Sequence, residues 1–239
     1  MENPDGTKWK PKNYSQAFYG PTTMRVGIEK SRNLMTIRLA QAIGIRKVVE
    51  YGKKFGISDN LDPVLATALG SGETTLMKLA TAYGMLANGG KYITPSLIDR
   101  IQDRDGKTIY KKDSRICEDC SGDQATSEKK PEVPDDREQI QDPVSAYQMV
   151  NILNGVIERG TGKVAKSVKK TLGGKSGTSN DSLDAWFIGF SPDLVAGVWL
   201  GFDTPKTLGP NETGGVASGP IFRDFMTEAL KGKPDIPFR

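Results

Sequence analysis

The residues best suited to chemistry in this chain are Lys175-Ser176-Gly177-Thr178, which lie just ahead of two apolar runs. Lysine supplies a point positive charge, the two hydroxyls supply hydrogen-bond donors, and Gly177 lets a ligand backbone approach closely. On the edge of a strand, such a set of groups is suited to holding a carboxylate. The chain contains 0 histidines, so Ser-His-Asp and Cys-His chemistry are excluded within it. A serine acyl-transfer enzyme built from these residues would use lysine as its base.

Two other interpretations of residues 173–178 compete with the carboxylate site. A nucleotide-binding P-loop needs its first glycine at position 169, where this chain has lysine, and a helix after the motif, where this chain has strand-like runs. A flexible glycine turn with a solvated lysine is the simpler alternative for a Lys-Ser-Gly triplet taken alone. The choice therefore depends on motifs elsewhere in the chain.

The composition indicates a soluble globular protein with one substantial domain. The chain has 239 residues, of which 36% are hydrophobic and 26% charged. The net charge of +4 is spread among acidic residues, which does not favour nucleic-acid binding. No run approaches the roughly 18 apolar residues of a membrane span, and the polar residues 1–12 do not form a secretory signal.

The two cysteines, Cys117 and Cys120, form a C-x-x-C pair within an acidic segment. A zinc site would need two more ligands, and the chain has neither a further cysteine nor a histidine to supply them. A local disulfide or two free thiols are therefore favoured over a metal or redox role. We expect neither a metal nor an organic cofactor.

Apolar spacings and turn residues predict the elements of the first two thirds of the chain. Residues of about 20–90 are expected to be helical, with two or three short helices up to Gly56 and a clear helix from Thr75 to Ala87. A hairpin is predicted at about 92–112, with strands at 97–102 and 108–111 around an Asp-Gly turn. The polar residues 113–141 are interpreted as a mobile insertion, followed by a helix at about 143–159.

The last third of the chain, residues 170–231, is predicted to be an antiparallel meander and a C-terminal helix. The strand with Lys175 is followed by residues 185–190, a Ser-Pro-Asp turn and residues 194–202. The last two runs are almost continuously apolar, which is typical of strands buried on both faces. The predicted fold is therefore mixed α and β, with a central antiparallel sheet and helices on both faces.

Two short motifs identify a family. Ser31-Arg32-Asn33 followed by Lys175-Ser176-Gly177 resembles the second and third motifs, S-x-N and K-[ST]-G, of penicillin-binding proteins and serine β-lactamases. The surroundings resemble the transpeptidase domain of bifunctional class A penicillin-binding proteins in several stretches, namely residues 20–25, 68–73, 82–90, 160–162 and 184–190. The resemblance covers the whole chain except the insertion at 113–141.

The resemblance implies the fold of penicillin-binding proteins and serine β-lactamases, with the N-terminal part of the domain missing from this chain. It implies a D,D-transpeptidase that cross-links peptidoglycan stem peptides and is acylated by β-lactam antibiotics. The parent protein would also be a peptidoglycan glycosyltransferase and would be anchored by a missing segment. It would act at the periplasmic or extracellular face of the cytoplasmic membrane, where Cys117 and Cys120 could oxidise.

The resemblance also implies three catalytic roles. Ser31 would relay a proton toward the leaving amine, and Asn33 would hydrogen-bond the substrate amide and help to orient the base lysine. Lys175 would provide positive potential in the site. No metal is implied.

The resemblance implies that three further residues bind the substrate. The hydroxyls of Ser176 and Thr178 would take the terminal carboxylate of the donor peptide. The backbone N–H of Thr178 would supply one of two oxyanion donors, each typically worth about 2.7 to 4 kcal/mol. Gly177 would let the substrate pair along the strand edge.

The family's first motif, S-x-x-K, has no acceptable match. Ser127 with Lys130 lies in the polar insertion, and Ser167 with Lys170 comes directly before Lys175 instead of ahead of Ser31. The chain is therefore expected to lack the nucleophile, to be inactive alone and, without the missing N-terminal part as its partner, to expose apolar surface. The alternatives are a β-lactamase or D,D-carboxypeptidase of the same superfamily and a non-catalytic interaction module.

Overall fold

The structure is a computed structural model that describes residues 9–115 and 133–238. The chain divides into two units, one formed by Met1–Tyr92 with Gln139–Arg239 and the other by Ile93–Glu138. Cys117, Cys120 and the Ser127–Lys130 match lie outside the described residues. None of the helices in the described part of the chain is long and apolar enough to cross a membrane.

Six α-helices are present in the described residues, and side-chain caps fix where several begin. They are α1 (Met24–Glu29), α2 (Asn33–Ile43), α3 (Ile45–Lys54), α4 (Leu76–Ala87), α5 (Pro143–Glu158) and α6 (Gly219–Ala229). Thr75 caps α4 by accepting from the Lys78 backbone N–H, and Asp142 caps α5 by accepting from that of Ser145. The serine-arginine-asparagine segment joins α1 to α2, as the sequence predicted.

The main unit contains a three-stranded antiparallel sheet in the order β3-β4-β5, with β3 (Gly173–Thr178), β4 (Ala185–Phe190) and β5 (Val195–Leu200). The register places Lys175 opposite Ile188. Strand β3 pairs with β4 alone among the described residues, so its other edge is free of a strand. The predicted meander is confirmed.

Helices cover both faces of this sheet, as predicted. Side chains alternate along β4, so Phe187 and Phe190 point to opposite faces. Phe187 packs on Phe222 of α6, with ring centroids 4.9 Å apart. Phe190 packs against Tyr83 of α4 and Leu153 of α5.

The prediction that residues 194–202 are buried on both faces was wrong. Strand β5 is only partly buried, and Trp199 is 39% exposed. The reason is that β5 forms the second edge of the sheet among the described residues, whereas the equally apolar β4 lies between two strands. Apolar composition alone does not separate an edge strand from a central one.

The second unit contains a two-stranded hairpin of β1 (Arg100–Gln102) and β2 (Thr108–Lys111). The first strand is shorter than predicted, and a register irregularity follows Ile101. The predicted insertion also ends too late, because Ile140 is 4% exposed and its backbone N–H donates to Gly90. Residues 139–141 thus belong to the main unit.

Candidate active site

Ser31 occupies the end of helix α1 in a left-handed conformation. The Ser31 N–H donates to the Ile28 carbonyl and the Arg32 N–H donates to the Gly27 carbonyl, which is the pattern of a Schellman cap. Glycine is the usual residue at the left-handed position, but here Ser31 has φ of 52°. The backbone then turns extended at Arg32 and α2 begins, so the cap fixes the Ser31 side chain at a sharp junction.

A Ser31→Gly variant is expected to be more stable than a Ser31→Ala variant by about 1 kcal/mol, because glycine adopts positive φ without the cost that a Cβ imposes. Both variants lose the same hydroxyl, so the difference reports the backbone alone. Urea unfolding of both variants measures this difference. Equal stability of the two variants would contradict the conclusion that Ser31 is held in a strained conformation.

The second and third motifs meet through a direct hydrogen bond. The Lys175 ammonium donates to Ser31 Oγ at 2.8 Å and to the Ser176 carbonyl oxygen at 2.8 Å. Burial of the ammonium lowers the pKa of Lys175 from 10.5 to about 8. Residues separated by 144 positions are therefore in contact, and the Lys175 ammonium polarises the Ser31 hydroxyl.

The hydroxyls of Ser176 and Thr178 project from the same face of β3 because side chains alternate along a strand. Ser176 Oγ lies 2.8 Å from Thr161 Oγ1. Thr178 Oγ1 accepts a hydrogen bond from the Gly214 backbone N–H at 3.0 Å. Because Thr178 Oγ1 accepts from Gly214, its own proton is free to bind a ligand. The Ser176 proton is free in the same way when Thr161 is the donor of their shared hydrogen bond. The two hydroxyls can then donate to one anion.

Thr161 and Gly214 were not predicted from the sequence to be part of the site. Thr161 is the central residue of the Gly-Thr-Gly stretch that resembles the family. Only its hydroxyl group indicated that it could take part in a polar site. Gly214 gave no signal, since its importance depends on close packing. A Cβ at Gly214 would lie 2.1 Å from the Trp186 carbonyl oxygen and 2.3 Å from that of Gly177.

Asn33 is oriented by the segment before α1 and not by Lys175. Its side-chain amide donates to the Lys12 carbonyl oxygen at 3.0 Å. The neighbouring Asn13 is 7% exposed and accepts from the Leu34 backbone N–H at 3.2 Å. The segment thus fixes the first turn of α2, and the predicted role of Asn33 in orienting a base stays a prediction.

The Ser167–Lys170 match has no catalytic geometry. Ser167 Oγ donates to the Val164 carbonyl oxygen at 3.2 Å, and the Lys170 ammonium donates to that of Lys233. Each group therefore has a separate local partner. No cluster of three or more acidic or thiol side chains suited to a metal ion occurs within residues 9–115 and 133–238.

Comparison with protein families identifies the class that this fold and site define. The family described as penicillin binding protein transpeptidase domain matches residues 1–227. The chain belongs to this family, and the resemblance drawn from the two motifs is confirmed.

Curated relatives of this chain include penicillin-binding 1A proteins. The chain is 48% identical to penicillin-binding protein 1A of Rickettsia bellii over 100% of its own length and 30% of the relative's. It is 38% identical to penicillin-binding protein 1A of Pseudomonas aeruginosa over 95% of its length and 31% of the relative's. The chain thus spans about 30% of the length of these relatives.

Solved structures give the same fold. Penicillin-binding protein 1A from Haemophilus influenzae is 31% identical and superposes with a TM-score of 0.83 over 99% of this chain and 38% of the other. A Mycobacterium tuberculosis protein solved in complex with penicillin V is 18% identical, with a TM-score of 0.78 over 100% of this chain and 64% of the other. The second similarity concerns the fold alone.

Proposed function

We propose that this chain is the substrate-binding part of a peptidoglycan D,D-transpeptidase, which binds the C-terminal carboxylate of a D-Ala-D-Ala stem peptide. The observation that carries the proposal is the hydrogen bond between Lys175 and Ser31 beside the free edge of β3. The donor peptide lies along this edge next to Gly177. Its terminal carboxylate accepts hydrogen bonds from the Ser176 and Thr178 hydroxyls.

The chemistry of the parent protein follows from this position of the peptide. A serine of the S-x-x-K motif passes its proton to the lysine of that motif and adds to the penultimate D-Ala carbonyl, and the terminal D-Ala leaves as an amine. Ser31, polarised by the Lys175 ammonium, relays this proton to the leaving amine. The amine of a second stem peptide then takes the acyl group from the serine. The Thr178 backbone N–H stabilises the oxyanion in both steps.

The parent's other properties belong to the same proposal. The relatives' names support penicillin binding, so β-lactam antibiotics are proposed ligands of the intact protein. Since stem peptides lie outside the cytoplasmic membrane, the site acts in the periplasm or on the cell exterior. A glycosyltransferase domain and a membrane anchor are proposed for the parent by analogy with class A proteins.

Fluorescent penicillin is expected to leave this chain without a covalent label, because neither Ser-x-x-Lys match lies ahead of Ser31, where the family has its nucleophile motif. Denaturing gel electrophoresis after incubation measures the label. A heat-unfolded sample serves as the control for nonspecific acylation. A label that appears only on the folded chain, and that Ser167→Ala removes, would contradict this expectation.

The carboxylate proposal predicts that an acyl-D-Ala-D-Ala peptide binds better than the same peptide with a C-terminal amide. Because the Lys175 pKa is lowered to about 8, the lysine loses its charge above that pH. Affinity for the acid peptide should therefore fall on the order of tenfold between about pH 7 and about pH 9.5. Affinity for the amide should change little.

NMR titration of the 15N-labelled chain with each peptide at both pH values measures these affinities. Ser176→Ala should weaken binding of the acid peptide, whereas Ser167→Ala, which alters a hydroxyl outside β3, should not. Equal affinities for acid and amide at pH 7 would contradict the proposal.

A further inference from the structure

Glu29 lies two residues before Ser31, and its carboxylate is buried against the C-terminal end of α5. Only 3% of Glu29 is exposed. Arg159 binds both carboxylate oxygens, with Nη2 2.5 Å from Oε1 and Nε 3.2 Å from Oε2. Arg25 Nη1 lies 3.7 Å from Oε1. A bidentate ion pair of this kind fixes the orientation of the two side chains as well as the distance between them.

Two glycines of the α5 end leave the space that Glu29 fills. A Cβ at Gly155 would lie 1.9 Å from Glu29 Oε1, and a Cβ at Gly160 would lie 2.2 Å from the Glu29 carbonyl oxygen. Neither glycine has a positive φ. The small residues are therefore needed for the close approach of α1 to α5, and the buried carboxylate has a site shaped to it.

The contacts around Glu29 close a ring through the candidate active site. The Glu29 carbonyl oxygen accepts from the Thr161 backbone N–H at 3.1 Å. The Thr161 hydroxyl contacts Ser176, and the adjacent Lys175 contacts Ser31, which is two residues from Glu29. A movement of α1 relative to α5 and β3 would therefore separate Ser31 from Lys175 and release the Thr161 N–H from Glu29, which removes one of the contacts that place the Thr161 hydroxyl beside Ser176.

We propose that Glu29 and Arg159 are positioning residues that hold Ser31 Oγ against the Lys175 ammonium and Thr161 against Ser176. The purpose of this arrangement rests on the proposed function, since the same groups bind the peptide. Ser31 has a left-handed backbone and the Lys175 ammonium has lost much of its hydration, so neither group favours its position by itself. The ion pair supplies the constraint from outside the site.

The pKa of Lys175, measured by NMR titration of the chain with 13C-labelled lysine, reports whether the contact persists. In Glu29→Gln and in Arg159→Gln, loosening admits water to the ammonium and should raise this pKa by about one unit. The direct electrostatic effects of the two substitutions are opposite, because one removes a negative charge and the other a positive charge. A rise in both variants therefore reports position and not charge.

The double variant Glu29→Gln/Arg159→Gln changes no net charge and leaves no buried charge unpaired. A purely stabilising role predicts that its thermal midpoint and its Lys175 pKa both return toward wild type. Positioning predicts that the Lys175 pKa stays raised. The matched control is Glu158→Gln, which removes a 2.6 Å ion pair with Lys166 at the same end of α5 and should leave the Lys175 pKa unchanged.

The proposal is overturned if the two single variants shift the Lys175 pKa in opposite directions, or if the folded double variant keeps the wild-type value. Should Glu29→Gln fail to fold, the double variant, which changes no net charge, still decides between position and charge. The readout needs no peptide. Failure of the wild-type chain to prefer the acid peptide would contradict the proposed function alone.

Discussion

Replacing Lys175 by methionine is expected to stabilise the chain at pH 7 and to abolish its preference for a peptide with a free carboxylate. Methionine keeps the length of the side chain and removes the buried charge. A pKa lowered from 10.5 to about 8 corresponds to about 3 kcal/mol at 1.36 kcal/mol per unit. Because part of the Lys175 side chain stays exposed, we expect a gain of about 1 to 2 kcal/mol.

The pH dependence of unfolding gives an independent check of this result. The folded-state pKa of Lys175 lies below the unfolded value, so the unfolded state binds more protons between about pH 8 and pH 10.5. The contribution of Lys175 to the wild-type free energy of unfolding should therefore increase as pH rises through that interval. The methionine variant should lack this contribution.

Lys170→Met is the matched control for the Lys175 substitution. The Lys170 ammonium donates to the Lys233 carbonyl oxygen, outside the candidate site. This variant should leave the preference for the acid peptide intact. Urea unfolding and peptide titration are measured on all three proteins. A Lys175→Met chain that is less stable than wild type at pH 7, or that still prefers the acid peptide, would show that the charge is not held there for a ligand.

Replacing Gly214 by alanine is expected to destabilise the chain by on the order of 3 kcal/mol and to weaken binding of the acid peptide. The new Cβ would lie 2.1 Å from the Trp186 carbonyl oxygen and 2.3 Å from that of Gly177. Both oxygens belong to the backbone of paired strands, so they cannot move without disturbing the Gly177–Trp186 pair. The displaced Gly214 N–H would also release Thr178 Oγ1.

Thermal unfolding and backbone amide exchange along β3 measure this effect. Val216→Ala is the control, because Val216 lies in the same turn and is 60% exposed. It should change stability by no more than about 0.5 kcal/mol. An alanine at position 214 that leaves the thermal midpoint and the β3 exchange rates unchanged would contradict the close packing at this turn.

Local rules made much of this fold predictable from the sequence. Asp142-Pro143 ahead of an apolar face is a strong helix start, and α5 runs over Pro143–Glu158. The spacing of apolar runs gave the order of β3, β4 and β5. The family resemblance placed Ser31 and Lys175 in one site, and the structure has them in contact. The roles assigned to the candidate residues stay proposals.

Most of the features that the sequence did not reveal depend on tertiary packing. The burial of Glu29 requires α1 to approach α5, and a glutamate on a short helix is usually solvated. The left-handed backbone of Ser31 follows from a helix end where glycine is the usual residue. The Thr161–Ser176 contact joins segments whose separation no local pattern predicts. Elements distant in the chain thus hold Glu29 and Thr161, whereas a local helix cap holds Ser31.

The structure of this chain bound to an acyl-D-Ala-D-Ala peptide tests the central claim most directly. We predict that the peptide lies along the free edge of β3, with its carboxylate within hydrogen-bond distance of Ser176 Oγ and Thr178 Oγ1 and Lys175 still in contact with Ser31. A peptide bound elsewhere, or bound at β3 with its carboxylate pointing away from both hydroxyls, would contradict the proposal that this strand is the carboxylate-binding half of a transpeptidase site.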